Sequence, residues 1–159
     1  MVTVCRNGVR DLAGNPITSF TSRYGNPVVD QGGARIRAHC RHVATVVMIS
    51  GRLDSSNIDA AGRVAKRFVL PDKPIVLDLS EVTEFAPEAL RFLQDLDDAC
   101  AAADVRWAVI VGDAVSGAVL AANDVQLPVV SSVAQALHDF DDEILDRRRF
   151  LLPLLGKTA

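Results

Sequence analysis

The sequence predicts an α/β fold, in which strands and helices alternate along one chain. Three observations carry that reading. Short apolar, β-prone runs recur at Thr45–Ile49, Ile75–Leu79 and Val105–Val111. Stretches with apolar residues at helical spacing follow each of them, and such spacers act as crossovers between parallel strands. The best-defined unit, Lys73 to Asp104, reads as a buried strand, a tight loop and a long amphipathic helix.

Residues 1–33 are read as an irregular N-terminal arm. Asn7-Gly8, Gly14-Asn15-Pro16, Gly25-Asn26-Pro27 and Gly32-Gly33 are turn signals with no periodicity between them. The alternative is a swapped or edge strand that helps a dimer form. Thr3, Thr18, Ser19, Thr21 and Ser22 offer hydroxyls there, and a phosphate on such an arm can dock or release it.

From Ala34 to Asp54 the pattern is a hairpin, with Ala34–Ala38 alternating and Thr45–Ile49 strongly β-prone. Ser55-Ser56-Asn57 supplies an N-cap. Ile58, Ala61, Val64, Ala65 and Phe68 then form the stripe of a crossover helix that stops near Leu70-Pro71. Ile75–Leu79 is apolar enough to be covered on both faces, and right-handed crossover makes it parallel to the preceding strand. Pro87 followed by Glu88 signals a helix start, and Leu90, Leu93, Leu96, Asp97 and Cys100 continue at helical spacing. Val105–Val111 is the next strand, closed by Gly112-Asp113. A small-residue helix over 114–123 turns Val115, Val119 and Ala122 inward and ends on Asn123 as a left-handed cap. Pro128-Val129-Val130 is a last short edge strand. Ser132 and Gln135 form a capping box for a final helix whose stripe is Val133, Leu137, Phe140, Ile144 and Leu145.

Composition bounds the function. The chain has 159 residues, 49% hydrophobic and 23% charged, an ordinary globular balance for one main domain. A net charge of −3 argues against nucleic acid, which calls for a basic stripe. No apolar run reaches the length of a membrane span, and the first residues carry no signal-peptide pattern. Three cysteines suit a reducing cytoplasm better than a disulfide framework. His39, Cys40 and His42 lie close together, but a structural site needs four ligands and His138 is remote in sequence, so no metal and no cofactor are expected.

The order Ala44–Asp54 followed by Val76–Thr83 resembles a STAS domain, the fold of bacterial anti-sigma factor antagonists and of the cytoplasmic tails of sulfate transporters. The resemblance covers residues 31 to 140. It implies a four- to five-stranded, mixed, mostly parallel sheet with flanking helices over 34–140, followed by a helix extension and apolar tail over 141–159. It also implies a non-enzymatic regulator of transcription that binds an anti-sigma factor or a serine-kinase-like anti-sigma protein. Phosphorylatable relatives carry Asp-Ser-Ser-Gly before the central helix; this chain carries Ala86-Pro87-Glu88-Ala89, without a hydroxyl. Of nearby hydroxyls, Thr83 is the one substitute acceptor, since Ser80 ends a buried strand.

The expected partner surface is the loop and helix start at Thr83, Glu84, Phe85, Ala86, Pro87, Glu88, Ala89 and Leu90, with Phe85 as anchor and Asp54 and Asp78 beneath it at two strand ends. Glu88 either mimics a phosphorylated residue or, with Pro87, simply starts the helix well. The two aspartates are read as structural, accepting hydrogen bonds from loop N–H groups.

Other chemistries lack their residues. A phospho-accepting receiver domain needs a lysine beyond its last strand, and Lys66, Lys73 and Lys157 are not there. Neither Gly-x-Gly-x-x-Gly, a Gly-Lys-Ser/Thr loop nor Gly-x-Ser-x-Gly occurs. Two further readings stand beside the leading one. The strand-end crevice is placed to sense an anion or nucleotide at the helix N-terminus. Alternatively, the apolar run Phe150–Leu155 makes the chain a scaffold subunit or a homodimer.

Overall fold

The longest strand of the sheet is paired in parallel on both sides, and the other elements are placed from it. This is β4, Ile75–Phe85. It pairs in parallel with β3, Thr45–Leu53, on one side and with β5, Trp107–Val111, on the other. Beyond β3 lie β2, Ala34–Cys40, and β1, Val28–Gln31, both antiparallel. The sheet order is therefore β1-β2-β3-β4-β5, with two antiparallel and two parallel pairings rather than a parallel majority. The computed structural model describes residues 28–122 and 126–155, with side chains to Phe150.

The expected Ile75–Leu79 strand is six residues longer than its apolar run. Pairing with β3 continues to Leu53↔Phe85, but Ser80, Glu81, Thr83 and Glu84 are exposed and leave no apolar signal. Two register shifts, between Met48 and Ser50 and between Gly51 and Arg52, accommodate the longer strand. Gly51 lies between these shifts, and its close approach is to the β1–β2 turn. Its φ of +92° lies in the left-handed region, and a Cβ there would stand 2.3 Å from the Gly33 carbonyl oxygen. Gly32 and Gly33, with φ of +51° and +100°, form the β1–β2 turn. The stretch read as arm thus ends in an edge strand, while the remaining readings on it, Thr3 included, lie outside the described residues.

Both faces of the sheet are covered. On one, Ile75, Leu77 and Leu79 of β4 meet Val47, Ile49 and Leu53 of β3 and Val109 of β5. They pack against α1, Ile58–Lys66, and α2, Leu90–Ala102, with Ile58, Ala61 and Ala65 facing Leu93 and Leu96. Phe92 is buried here as well and lies against Gly62, a contact the helical spacing did not single out. Val115 of α3, Asp113–Ala121, joins the same core. On the other face Val46, Val76, Ala108 and Ile110 are covered by Ala136 and Phe140 of α4, Val133–Leu155.

Several boundaries differ from expectation. β5 begins at Trp107, because the Val105 N–H is taken by the Cys100 carbonyl at the end of α2, at 2.8 Å. Pro128–Val130 forms a single parallel bridge, Val109↔Val129, not a sixth strand. The Asn123 cap lies outside the described residues. Leu145, read as part of the final stripe, is 44% exposed. Its turn of α4 has passed the edge of what the helix covers. At the helix start, Ser132 Oγ accepts the Gln135 N–H at 3.1 Å, but Gln135 Oε1 turns back to the Ser131 N–H and hydroxyl, one residue before the expected partner.

Candidate functional site

The C-terminal ends of β3 and β4 deliver two connections to one end of the sheet. One is the Asp54–Asn57 loop into α1. The other is the Ala86–Ala89 turn into α2, where Pro87–Ala89 is a 3₁₀ turn. They are tied together by the Ala86 N–H donating to the Leu53 carbonyl at 2.9 Å.

Asn57 holds the first connection. It is 2% exposed, and its side chain does not cap α1 as the Ser-Ser-Asn triplet suggested. Instead Nδ2 donates to the Gly32 carbonyl at 3.0 Å and the Arg52 carbonyl at 2.7 Å, while Oδ1 accepts the Asp54 N–H at 3.0 Å. The cap role is lost because three backbone groups from the β1–β2 turn and the end of β3 would otherwise be left unpaired. Asp54 fixes the outer side of the loop. Its Oδ1 accepts the Ser56 N–H at 2.8 Å and the Ser56 hydroxyl, and Oδ2 meets Arg52 Nε at 2.7 Å. The Ser56 hydroxyl, the Ser56 N–H and, to a smaller extent, the Arg52 guanidinium hold the Asp54 carboxyl below its ordinary value.

Asp78 is elsewhere. It stands opposite Met48 in the body of β4, 8% exposed, accepting the Ser80 N–H at 3.0 Å and the Ser80 hydroxyl at 2.6 Å. The two aspartates therefore do not share a strand-end edge, because β4 continues seven residues past Asp78. Ser80 is likewise inside the strand rather than at its end.

Thr83, Glu84 and Phe85 belong to the last turn of pairing in β4, not to a loop. Thr83 and Glu84 are exposed, while Phe85 is half-buried and packs on the core below. Ala86 is half-buried, and Pro87 and Glu88 are exposed. Ala89 is fully buried and presents no side chain to a partner, and Leu90 packs partly on the same core. The surface is thus narrower than the sequence implied: Thr83, Glu84, Pro87 and Glu88, flanked by Ser55 and Ser56.

Its charge is acidic. Asp54 is matched by Arg52, and Asp59 of α1 by Arg91 of α2 at 2.6 Å. Glu84 and Glu88 make no ion pair with any described residue. A groove of about 200 Å³ lies alongside, between α1 and α2, bordered by Ile58, Gly62, Arg63 and Phe92. In the sequence Arg52 and Arg91 carry no signal of a role here, and Ser56 and Asn57 read only as part of an N-cap. Their only signal was the Ser-Ser-Asn run, which fits a cap equally well.

Among the described residues no group of three or more His, Cys, Asp or Glu is placed to hold a metal ion, and no helix is long and apolar enough to cross a membrane. Cys40 is exposed at the end of β2. Cys100 is buried in α2, where burial, with the nearby Asp97 carboxylate, pushes its thiol up to about 11.

This architecture is the STAS-type fold. A crystal structure of an anti-sigma factor antagonist from Mycobacterium paratuberculosis superposes with a TM-score of 0.59 at 21% identity, covering 68% of this chain and 94% of that one. No protein-family model matches the chain. Osmosensory protein A of Mycobacterium tuberculosis is 40% identical over 146 residues, 89% of this chain and 92% of the relative. The chain belongs to the family of Osmosensory protein A.

Proposed function

We propose that this protein is a cytoplasmic, non-enzymatic regulator of transcription that binds an anti-sigma factor or anti-sigma kinase through the end of β4 and the start of α2. The observation that carries the reading is the acidic patch at Thr83, Glu84, Pro87 and Glu88, beside a turn at Ala86–Ala89 without a hydroxyl, held on a hydrogen-bonded frame where the resemblance puts the partner contact. The fold shared with an anti-sigma factor antagonist supports it, and the relative's name supports an osmotic input upstream.

In phosphorylatable relatives, a phosphate at this turn adds nearly two negative charges and repels the partner. Here Pro87 cannot accept one. Glu88 places a single carboxylate in the first turn, where it meets the positive end of the helix dipole. That is sufficient reason for the residue, and binding then persists without a switch at this turn. Thr83, exposed beside it, is the substitute acceptor in β4, with the Ser55 and Ser56 hydroxyls also exposed alongside.

Capture of purified ATP-binding anti-sigma proteins on immobilised chain tests the proposal. Wild type retains one of them, and the Glu84→Lys, Glu88→Lys double variant releases it while keeping its far-UV circular dichroism. No capture by wild type, or equal capture by the double variant, sinks this surface. Phe85→Ala is a poorer probe, because that ring also packs on the core.

A further inference from the structure

The final helix outgrows the domain it covers. Among its described side chains the last buried or half-buried one is Ile144, and every residue from Leu145 to Phe150 is exposed. The helical backbone continues to Leu155, about 15 Å past Leu145 at the α-helical rise.

One face of α4, running from before the overhang into it, is ordered by charge. At helical spacing, Asp141, Leu145 and Arg148 form one row, and His138, Asp142, Leu145 and Arg149 the adjoining row. Leu145, 44% exposed, sits at the centre, with acids one turn before it and arginines one turn after. The face lies about 100° around the helix from the stripe that covers the sheet. Asp141 and Arg148 have no ion-pair partner among the described residues. Arg149 reaches only Asp146 at 3.8 Å, both side chains mostly in solvent, and His138 meets Asp142 at 3.3 Å.

We infer that this face binds a second copy of the same chain, as an antiparallel helix pair centred on Leu145. Acid-then-base order decides the direction. A parallel copy in register would set acid against acid. An antiparallel copy sets Asp141 against the partner copy's arginine at 149, Asp142 against its arginine at 148, and leucine against leucine. The two-fold axis repeats each contact, so the interface is isologous and closes as a dimer. Exposed ion pairs contribute little each and are screened by salt, so the dimer is weak and salt-sensitive. This places self-association on the charged face of α4, whereas the sequence pointed to the arm or the apolar tail.

Sedimentation equilibrium of the full chain tests it. Wild type shows a concentration-dependent monomer–dimer equilibrium that shifts toward monomer in high salt. The Arg148→Glu, Arg149→Glu variant and the Asp141→Arg, Asp142→Arg variant are each monomeric under the conditions where wild type dimerises. Mixed in equal amounts, they form a heterodimer, a recovery that loss of folding cannot mimic. A wild type that is monomeric at every concentration overturns the inference and leaves the face to another kind of partner. So does dimerisation unchanged in both variants, or a mixture that stays monomeric.

Discussion

Asn57 shows how much one buried amide can organise. Its three hydrogen bonds join the Gly32 turn, the end of β3 and the Asp54 N–H, and so set where the site's first loop begins. Removing a buried partner leaves each group it served unsatisfied, at roughly 1–3 kcal/mol for such a group. Asn57→Ala should therefore lower stability by about 2–4 kcal/mol in urea unfolding, relaxation and water entry absorbing part of the loss. A loss below about 0.5 kcal/mol, the range of ordinary surface changes, would show that water replaces these bonds freely. Asp54 gives a second, pH-linked expectation. Its folded carboxyl titrates below 3.8, so its contribution is present above that value and is lost as pH falls through the folded midpoint. Carboxyl-detected NMR of Ser56→Ala should show the Asp54 midpoint move up, since the Ser56 hydroxyl is the largest influence lowering it. An unmoved midpoint would assign the effect to the backbone and Arg52 instead.

Among the elements, β3 and β4 decide the geometry of the site. β4 stays paired as far as Phe85 by fitting two extra residues against β3, and Gly51 of β3, with positive φ and no side chain, lets the β1–β2 turn approach closely. Gly51→Ala puts a methyl group into the Gly33 carbonyl as well as straining the backbone, and should cost at least about 2 kcal/mol. Equilibrium unfolding measures it, and a variant as stable as wild type would mean that the β1–β2 turn yields without cost. The same element shows what was legible. Ile75–Leu79 was readable because both of its faces are buried; Ser80–Phe85 was not, because pairing there places polar side chains in solvent. For that reason Thr83, Glu84 and Phe85 read as loop and Asp78 as a strand end. The α2 start was readable at Pro87-Glu88, yet burial of Ala89 depends on how α2 seats on the sheet, which spacing alone does not express.

At the scale of the whole molecule, the two cores share the central strands and should melt together. Trp107, the single tryptophan, is 7% exposed, and its Nε1 donates to Asp97 Oδ1 at 2.7 Å, so its fluorescence reports β5 against α2. Fluorescence and far-UV circular dichroism should give coincident thermal transitions. A separate early step in circular dichroism alone would show that α4 leaves the sheet before the rest unfolds. The amino-acid sequence by itself determined the alternation of strands and helices, the parallel crossovers, the STAS resemblance and the missing hydroxyl at the central turn. Each of these is carried by local periodicity, by residue identity or by the handedness of the chain. Tertiary structure alone decided that Asn57 ties the loop instead of capping a helix, that Asp54 and Asp78 lie apart, and that Glu84 and Glu88 make no ion pair with a described residue. Those are matters of which groups meet across the sheet, and a polar side chain's partner is chosen by what lies within hydrogen-bonding reach, not by its neighbours in sequence.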